Sequence, residues 1–158
     1  YFVGDHGLWV HNAKCDIPTP YRAHPSPSGY RLGASDGGPG AWAEISRPDT
    51  QHYRYEKQVT GAPRSVEYEV GGVKFDGFDA SKGVLIDAKN FRNVFNKDEP
   101  FEMIVDKELA QARAQVDAAG LTKIEWHIST KGEPDALRDL FRSDGIAIDV
   151  KWTPRVVD

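Results

Sequence analysis

The triplet Asp87-Ala88-Lys89 places a carboxylate and an ammonium two residues apart at the end of the apolar run Val84–Ile86. Residues two apart on a β-strand share a face, so Asp87 and Lys89 are expected to point to the same side of a sheet. Burying an unpaired carboxylate or ammonium in an apolar strand is costly. The pattern therefore favours a functional pair over a solvated strand edge.

Asp76 supplies a second carboxylate on the preceding strand, from which it can approach Asp87 across a hairpin. Two carboxylates at close range repel each other unless a cation lies between them, and Mg²⁺ (or Mn²⁺) takes such oxygen ligands while it keeps several waters. Lys89 would then orient or help deprotonate an attacking water, or stabilise a pentavalent phosphate. We expect Glu69, or Glu67 on the same strand face, to supply a further ligand.

Polar residues at helical spacing can reach the same place from a long helix that follows the strands. Gln111 and Gln115 are four residues apart and stack on one helix face, with Glu108 one turn earlier. We expect Gln111 and Gln115 to lie near the attacking or scissile group. A shorter helix before the strands carries Glu56 and Gln58, and the sequence leaves open which of them completes the site.

The elements that position these residues are indicated by periodicity and by their end signals. The order is helix, three strands, helix, strand, helix, strand. It predicts an α/β (α+β) fold with a mixed, mainly central sheet flanked by helices and an αβββαβ core. Helices are predicted over residues 50–59, 101–119 and 134–142, and strands over 66–70, 73–78, 84–89, 124–128 and 146–150.

The chain divides into three segments by composition. Residues 1–12 contain short strand-like runs. Residues 13–47 hold five prolines and five glycines without a sustained period, which predicts a linker or an irregular lid and no packed element. Residues 48–158 carry the regular pattern and all the candidate site residues.

The bulk composition is that of one globular domain. The chain has 158 residues, a single cysteine and no apolar run of the roughly 20 residues that a membrane span needs. The formal net charge of -4 does not favour nucleic acid as a partner, because phosphate binding normally shows a basic footprint. Locally clustered basic residues and a bound cation would still allow a chain with this net charge to bind nucleic acid.

The order of these motifs resembles the PD-(D/E)xK nucleases, and in detail the restriction endonuclease fold toxin 5 family of polymorphic toxins. The resemblance implies a restriction-endonuclease-like fold, DNase activity, and Asp76, Asp87 and Lys89 as the catalytic core. The third acid of the pattern is Asp rather than Glu, which metal binding tolerates. The likeness covers roughly residues 50–150 and rests on segments 55–61, 67–70, 73–78, 85–89, 111–115 and 125–127.

The run Gly7–Cys15 resembles the last strand of a Hint (intein-like) self-cleaving domain, which ends in Val-His-Asn. The resemblance implies that His11 polarises a scissile peptide while the Asn12 side chain attacks its own carbonyl. Ala13 offers no nucleophile for splicing, and most of such a domain is missing, so residues 1–12 are expected to be an inert remnant. The missing initiator Met adds the expectation of upstream delivery domains in a longer chain.

These resemblances together imply residues 48–158 to be the nuclease toxin domain of a secreted bacterial effector. Its expected substrate is DNA in the cytoplasm of a target bacterial cell, with a cognate immunity protein as partner and no membrane association. A metal-dependent RNase and a catalytically inactive binding domain of the same fold are the alternatives. A zinc site from His6, His11 and Cys15 is disfavoured because their spacing matches no standard site.

Overall fold

The computed structural model describes residues 23–91, 94–95 and 102–156. The segment predicted as a Hint remnant, with His11 and Asn12, lies outside these ranges. The described residues form seven strands and three helices, in the order β1 (Ala41–Glu44), α1 (Gln51–Thr60), β2 (Val66–Val70), β3 (Val73–Phe75), β4 (Gly77–Asp79), β5 (Val84–Lys89), α2 (Glu102–Ala119), β6 (Lys123–Ile128), α3 (Glu133–Asp144) and β7 (Asp149–Trp152).

Strand β5 is the inner strand around which the site is built. It pairs antiparallel with β4 and parallel with β6, and β7 continues the sheet parallel to β6. All six residues of β5 are buried, which explains its nearly continuous apolar run. Ile86 and Ala88 pack with Tyr55 and Val59 of α1, while Leu85 belongs to the core on the other face. The predicted mixed sheet flanked by helices is confirmed.

The single strand predicted over residues 73–78 is wrong, because β3 and β4 belong to different sheets. β3 pairs with β2 across the Gly71-Gly72 turn, where positive φ angles of 55° and 84° fit the predicted hairpin. The chain then leaves this sheet to pair with β5. Gly77 lets α1 approach closely at this bend, since a Cβ there would lie 2.9 Å from Thr60 Cγ2. Asp76 therefore occupies the junction between the sheets.

The interpretation of residues 13–47 as a linker or lid without packed elements is wrong for Ala41–Glu44. This strand, β1, pairs antiparallel with β2. Trp42 is 2% exposed, and its ring packs edge-on against Tyr30 and Tyr68 with centroid distances of 5.0 and 5.2 Å. A strand of four residues is too short to show a period within a Pro/Gly-rich segment, so the pattern missed it.

The end signals of α1 act as the sequence indicates, whereas α3 starts one residue before and ends two residues after the predicted range of 134–142. The Thr50 side chain accepts a hydrogen bond from a backbone N–H in the first turn of α1, and Gly61 ends that helix in the left-handed conformation. Gly145 ends α3 in the same way. No helix within the described residues has the length and the apolar composition to span a bilayer.

The last strand forms later than the predicted residues 146–150. Ile146 N–H donates to Phe141 O at 2.9 Å, so it belongs to the C-terminal cap of α3. Pairing with β6 starts only at Asp149, opposite Glu125.

Candidate active site

Asp87 and Lys89 lie side by side at the end of β5, as the alternation of the strand predicts. Lys89 Nζ is 2.8 Å from Asp87 Oδ2, and the two side chains are 10% and 4% exposed. Burial alone would lower the pKa of Lys89, but the carboxylates of Asp87 and Glu108 outweigh it and raise that pKa above its ordinary value. Lys89 is therefore an ammonium at neutral pH.

Helix α2 supplies two more polar groups that hold Lys89. Gln111 Oε1 accepts a hydrogen bond from Lys89 Nζ at 2.6 Å, and Gln111 Nε2 donates to Asp87 Oδ2 at 3.2 Å. Glu108 Oε2 lies 3.2 Å from Lys89 Nζ, and the ammonium is 4.4 Å from the centroid of the Trp126 ring. The ammonium is thus fixed by two carboxylates, an amide and an aromatic face.

Asp76 approaches Asp87 from the sheet junction. Its Oδ2 accepts a hydrogen bond from the Ala88 N–H at 2.8 Å. Desolvation raises the pKa of the Asp76 carboxyl well above its ordinary value, and the negative charges of Asp87 and Glu56 raise it further. This is the repulsion expected of paired acids, and a cation placed between them would relieve it.

The structure places Glu56, and not Gln58, beside Asp76. Glu56 Oε1 is 2.9 Å from His52 Nε2 on the same helix face, and Oε2 is 3.3 Å from Arg47 Nη1. Gln58 lies on another side of α1, where it hydrogen bonds to the backbone of residues 154–156 with two distances of 2.9 Å. Gln58 therefore fastens the C-terminal segment and does not reach the cleft.

One cleft of about 570 Å³ collects these groups. A larger cavity of about 890 Å³ lies between α3 and β7, but its lining contains a single acid, Asp149, and so offers no paired carboxylates. The titratable side chains that line the smaller cleft are His52, Glu56, Asp76, Asp87, Lys89, Lys107 and Glu108.

Glu67 and Glu69 are not among the residues that line this cleft. Glu69 is partly exposed on β2 and lies opposite Lys74 of β3. Glu67 is buried, with its carboxylate 2.9 Å from Lys74 Nζ and 3.4 Å from Arg47 Nη2. The placement of Glu69 argues against the ligand role predicted for it, because β2 and the end of β5 belong to different sheets.

Gln115 is a core residue, although the sequence predicts it near the scissile group. It is fully buried, accepts a hydrogen bond from Trp126 Nε1 at 2.7 Å and donates to Lys74 O at 3.2 Å. The extra helical turn beyond Gln111 carries it over β3 and β6 instead of over the end of β5. Gln111 and Gln115 therefore share a helix face, but Gln115 does not lie in the cleft with Gln111.

Two side chains around the acids, Arg47 and His52, were not selected from the sequence, and Glu108 was noted only for its place on the helix face of Gln111. Glu108 precedes Gln111 by three residues, and His52 precedes Glu56 by four, so helical spacing offered a signal for both. Arg47 offered none, because it follows an irregular segment and meets its partners only through the tertiary fold.

The sequence matches the family model of restriction endonuclease fold toxin 5 over residues 52–131, half of the chain. The matched range contains Glu56, Asp76, Asp87, Lys89 and Gln111. The chain belongs to this family. A search of curated proteins gave no match. Membership of a restriction endonuclease fold toxin family indicates a nuclease toxin that acts on nucleic acid, and the mixed α+β architecture agrees with it.

Proposed function

We propose that this toxin domain is a metal-dependent DNase that hydrolyses phosphodiester bonds. The observation that carries the proposal is the convergence of Asp76, Asp87, Lys89 and Gln111 in one cleft. Lys89 Nζ lies 2.8 Å from Asp87 Oδ2 and 2.6 Å from Gln111 Oε1, and Asp76 approaches from the junction of the two sheets. Paired acids beside a fixed ammonium suit a phosphodiester, whose charge grows as it is attacked.

The acids fit a hard divalent cation such as Mg²⁺ or Mn²⁺. The pKa of Asp76 is raised by burial and by neighbouring carboxylates, and the buried Glu56 Oε2 has an ion-pair contact with Arg47 at 3.3 Å but accepts no hydrogen bond among the described residues. No three acids or imidazoles of the described residues are already gathered as a metal site. Asp76 and Asp87 would hold the ion with waters completing the shell, as Mg²⁺ commonly requires, and Glu56, whose charge also acts on Asp76, is a further acid of the cleft.

The residues of the cleft divide the work of hydrolysis. A bound divalent ion would lower the pKa of a water molecule that it coordinates and would neutralise negative charge on the phosphate. Lys89, whose pKa is raised by the carboxylates of Asp87 and Glu108, would stabilise as an ammonium the negative charge on the attacked phosphate. Gln111 fixes the direction of Lys89 through the hydrogen bond at 2.6 Å and holds Asp87 through its amide.

The biological setting of the proposal rests on family membership. A toxin of this type acts in the cytoplasm of a target bacterial cell, reaches it through upstream delivery domains, and is neutralised in the producing cell by a cognate immunity protein. The net charge of -4 favours an immunity protein with a basic contact surface.

Digestion of supercoiled plasmid by the purified chain tests the proposal. We expect nicking and linearisation with Mg²⁺ or Mn²⁺, and none with EDTA, with Asp87→Ala or with Lys89→Ala. Asp139→Ala is the matched control, because Asp139 is an exposed acid in a salt bridge to Arg142 on α3, away from the cleft. This control variant should cut like the wild type.

Structured RNA is digested in parallel, because the cleft chemistry does not depend on the sugar. Cleavage of RNA with the plasmid left intact would overturn the DNase assignment and keep the metal nuclease. An intact plasmid and intact RNA with every divalent metal, together with binding of DNA, would overturn catalysis and favour a binding domain.

A further inference from the structure

Arg47 holds three carboxylates that come from three different elements. Its guanidinium nitrogens lie 3.3 Å from Glu56 Oε2 on α1, 3.4 Å from Glu67 Oε2 on β2 and 3.8 Å from Asp76 Oδ1 at the sheet junction. Nη1 also donates a hydrogen bond to Val66 O at 3.3 Å. A guanidinium suits this arrangement because its planar fork presents five N–H donors in fixed directions.

The backbone before α1 delivers Arg47 to this place. Ile45 N–H donates to Ser65 O at 2.9 Å and so continues the antiparallel contact between β1 and β2. Pro48 then keeps Arg47 out of the helical conformation, which lets its side chain turn back over β2. Arg47 therefore reaches the acids from a residue that precedes the family match at 52–131.

The side chain of Arg47 is 14% exposed, and both of its terminal nitrogens, Nη1 and Nη2, contact protein acceptors. Its contacts with Glu67, which does not line the cleft, and with Asp76, which does, connect the two sheets. Without this cation, Glu56, Glu67 and Asp76 would repel one another, and within the described residues the Ala88 N–H on Oδ2 would be the only hydrogen bond left to Asp76. The geometry assigns a positional function to Arg47 and no contact with substrate.

We propose that Arg47 is a positioning residue that holds Asp76 and Glu56 in the geometry needed for metal-dependent hydrolysis. This inference rests on the proposed nuclease function. On this inference, the acids of the family-matching segment are held in place by Arg47, a residue that lies outside that segment. A misplacement of about 1 Å in such a site can reduce turnover by about a hundredfold.

The test compares Arg47→Ala with Arg138→Ala in the full chain. Arg138 is the matched control, because it also hydrogen bonds to a strand carbonyl, Val150 O at 2.9 Å, but lies on α3 away from the cleft. We expect Arg47→Ala to lower kcat on a duplex DNA substrate by about tenfold or more with little change in KM. Arg138→Ala should leave both constants unchanged.

Chemical rescue separates a positional role from a general loss of stability. Millimolar guanidinium ion can occupy the space left in Arg47→Ala and should restore part of kcat. Urea, which has a similar shape and no charge, should not. A readout independent of cleavage is the Ala88 amide resonance of the metal-free protein, because this N–H donates to Asp76 Oδ2. It should shift in Arg47→Ala and move back on addition of guanidinium.

Arg47→Lys covers the case in which Arg47→Ala does not fold. It keeps the charge but cannot reach three carboxylates at once, so kcat should still fall and the Ala88 resonance should still shift. An unchanged kcat with an unshifted Ala88 amide would overturn the inference and leave Arg47 a stabilising residue. A raised KM with unchanged kcat would overturn it in favour of a substrate contact. If the wild type cuts nothing, the proposed function fails, while the Ala88 resonance still tests the positional role.

Discussion

Replacing Lys89 by methionine measures how strongly one ammonium holds the acids of the cleft together. Methionine keeps most of the length and the apolar contact with Trp126, but it removes the charge that faces Asp87 and Glu108. These two carboxylates would then remain buried at the cleft without their shared cation. We expect Lys89→Met to fold with reduced stability at neutral pH and to cut no DNA.

The size of the effect follows from the two ion pairs. At an effective dielectric constant of about 20, unit charges separated by 2.8 and 3.2 Å attract by about 6 and about 5 kcal/mol. Desolvation of Lys89 offsets much of this attraction, and removal of one partner from a buried pair typically costs about 3–5 kcal/mol. We therefore expect the free energy of unfolding to fall by about 3 kcal/mol, a large part of the usual 5–15 kcal/mol or so.

Urea unfolding without divalent metal at pH 7 is the assay. With an m-value of about 2 kcal/mol/M, the midpoint should fall by about 1.5 M. Lys131→Met is the matched control, because Lys131 Nζ also lies over an aromatic ring, that of Trp152 at 5.5 Å, and forms no salt bridge with an acid in the described part of the chain. This control should cost less than about 1 kcal/mol.

A double-mutant cycle with Glu108→Gln attributes the loss to the ion pair. With Glu108 neutral, one fewer carboxylate is left without a cation, so Lys89→Met should cost about 1–2 kcal/mol less in that background. The reasoning is refuted if Lys89→Met unfolds at the wild-type midpoint. It is also refuted if the cost is the same in both backgrounds.

Three further predictions concern charge and burial. Asp76→Asn should abolish cleavage and raise the melting temperature at pH 7. The raised pKa of Asp76 means that its ionised form destabilises the fold, and asparagine removes that charge. At pH 4, where the native carboxyl is protonated, the two proteins should melt at nearly the same temperature. Gln115→Leu should lower the free energy of unfolding by about 1–3 kcal/mol by leaving buried partners unbonded, with an unchanged kcat in a cleavage assay of the folded protein. Burial alone would raise the pKa of Glu125, but hydrogen bonds from His127 and Lys151 lower it to about 2. The ionised Glu125 therefore stabilises the fold fully above the ordinary pKa of 4.5, and this contribution is lost as the pH falls towards 2. Glu125→Gln should flatten that part of an acid-unfolding curve.

The fold could be predicted where the local signal and the tertiary environment agree. β2 and β5 form at the predicted residues because each is a run of strand-forming side chains bounded by turn residues. The bend at Asp76 was not predictable in the same way. It depends on the close approach of α1 to Gly77, which no local pattern encodes.

The site could be predicted where a period of two or of three to four residues fixes which side chains share a face. Alternation on β5 brought Asp87 and Lys89 together, and helical spacing brought Gln111 to them. Periodicity predicts which face of an element a side chain lies on but not how deeply it is buried, so it could not show that Gln115 is a core residue. It also gives nothing for Arg47, whose partners are 9 to 29 residues away in sequence.

The negative net charge, an objection to a nucleic-acid enzyme at the level of composition, has a different meaning once the charges are located. Glu56, Asp76, Asp87 and Glu108 gather in one cleft, where Lys89 faces Asp87 and Glu108, and Arg47 contacts Glu56 and Asp76. Burial raises the pKa of Asp76, and the negative charges of Asp87 and Glu56 raise it further. In the proposed mechanism a divalent ion completes the balance and turns an acidic cleft into one that attracts a phosphate. On this proposal the negative net charge of the chain reflects acids that bind a cation, and it does not argue against a nucleic-acid substrate.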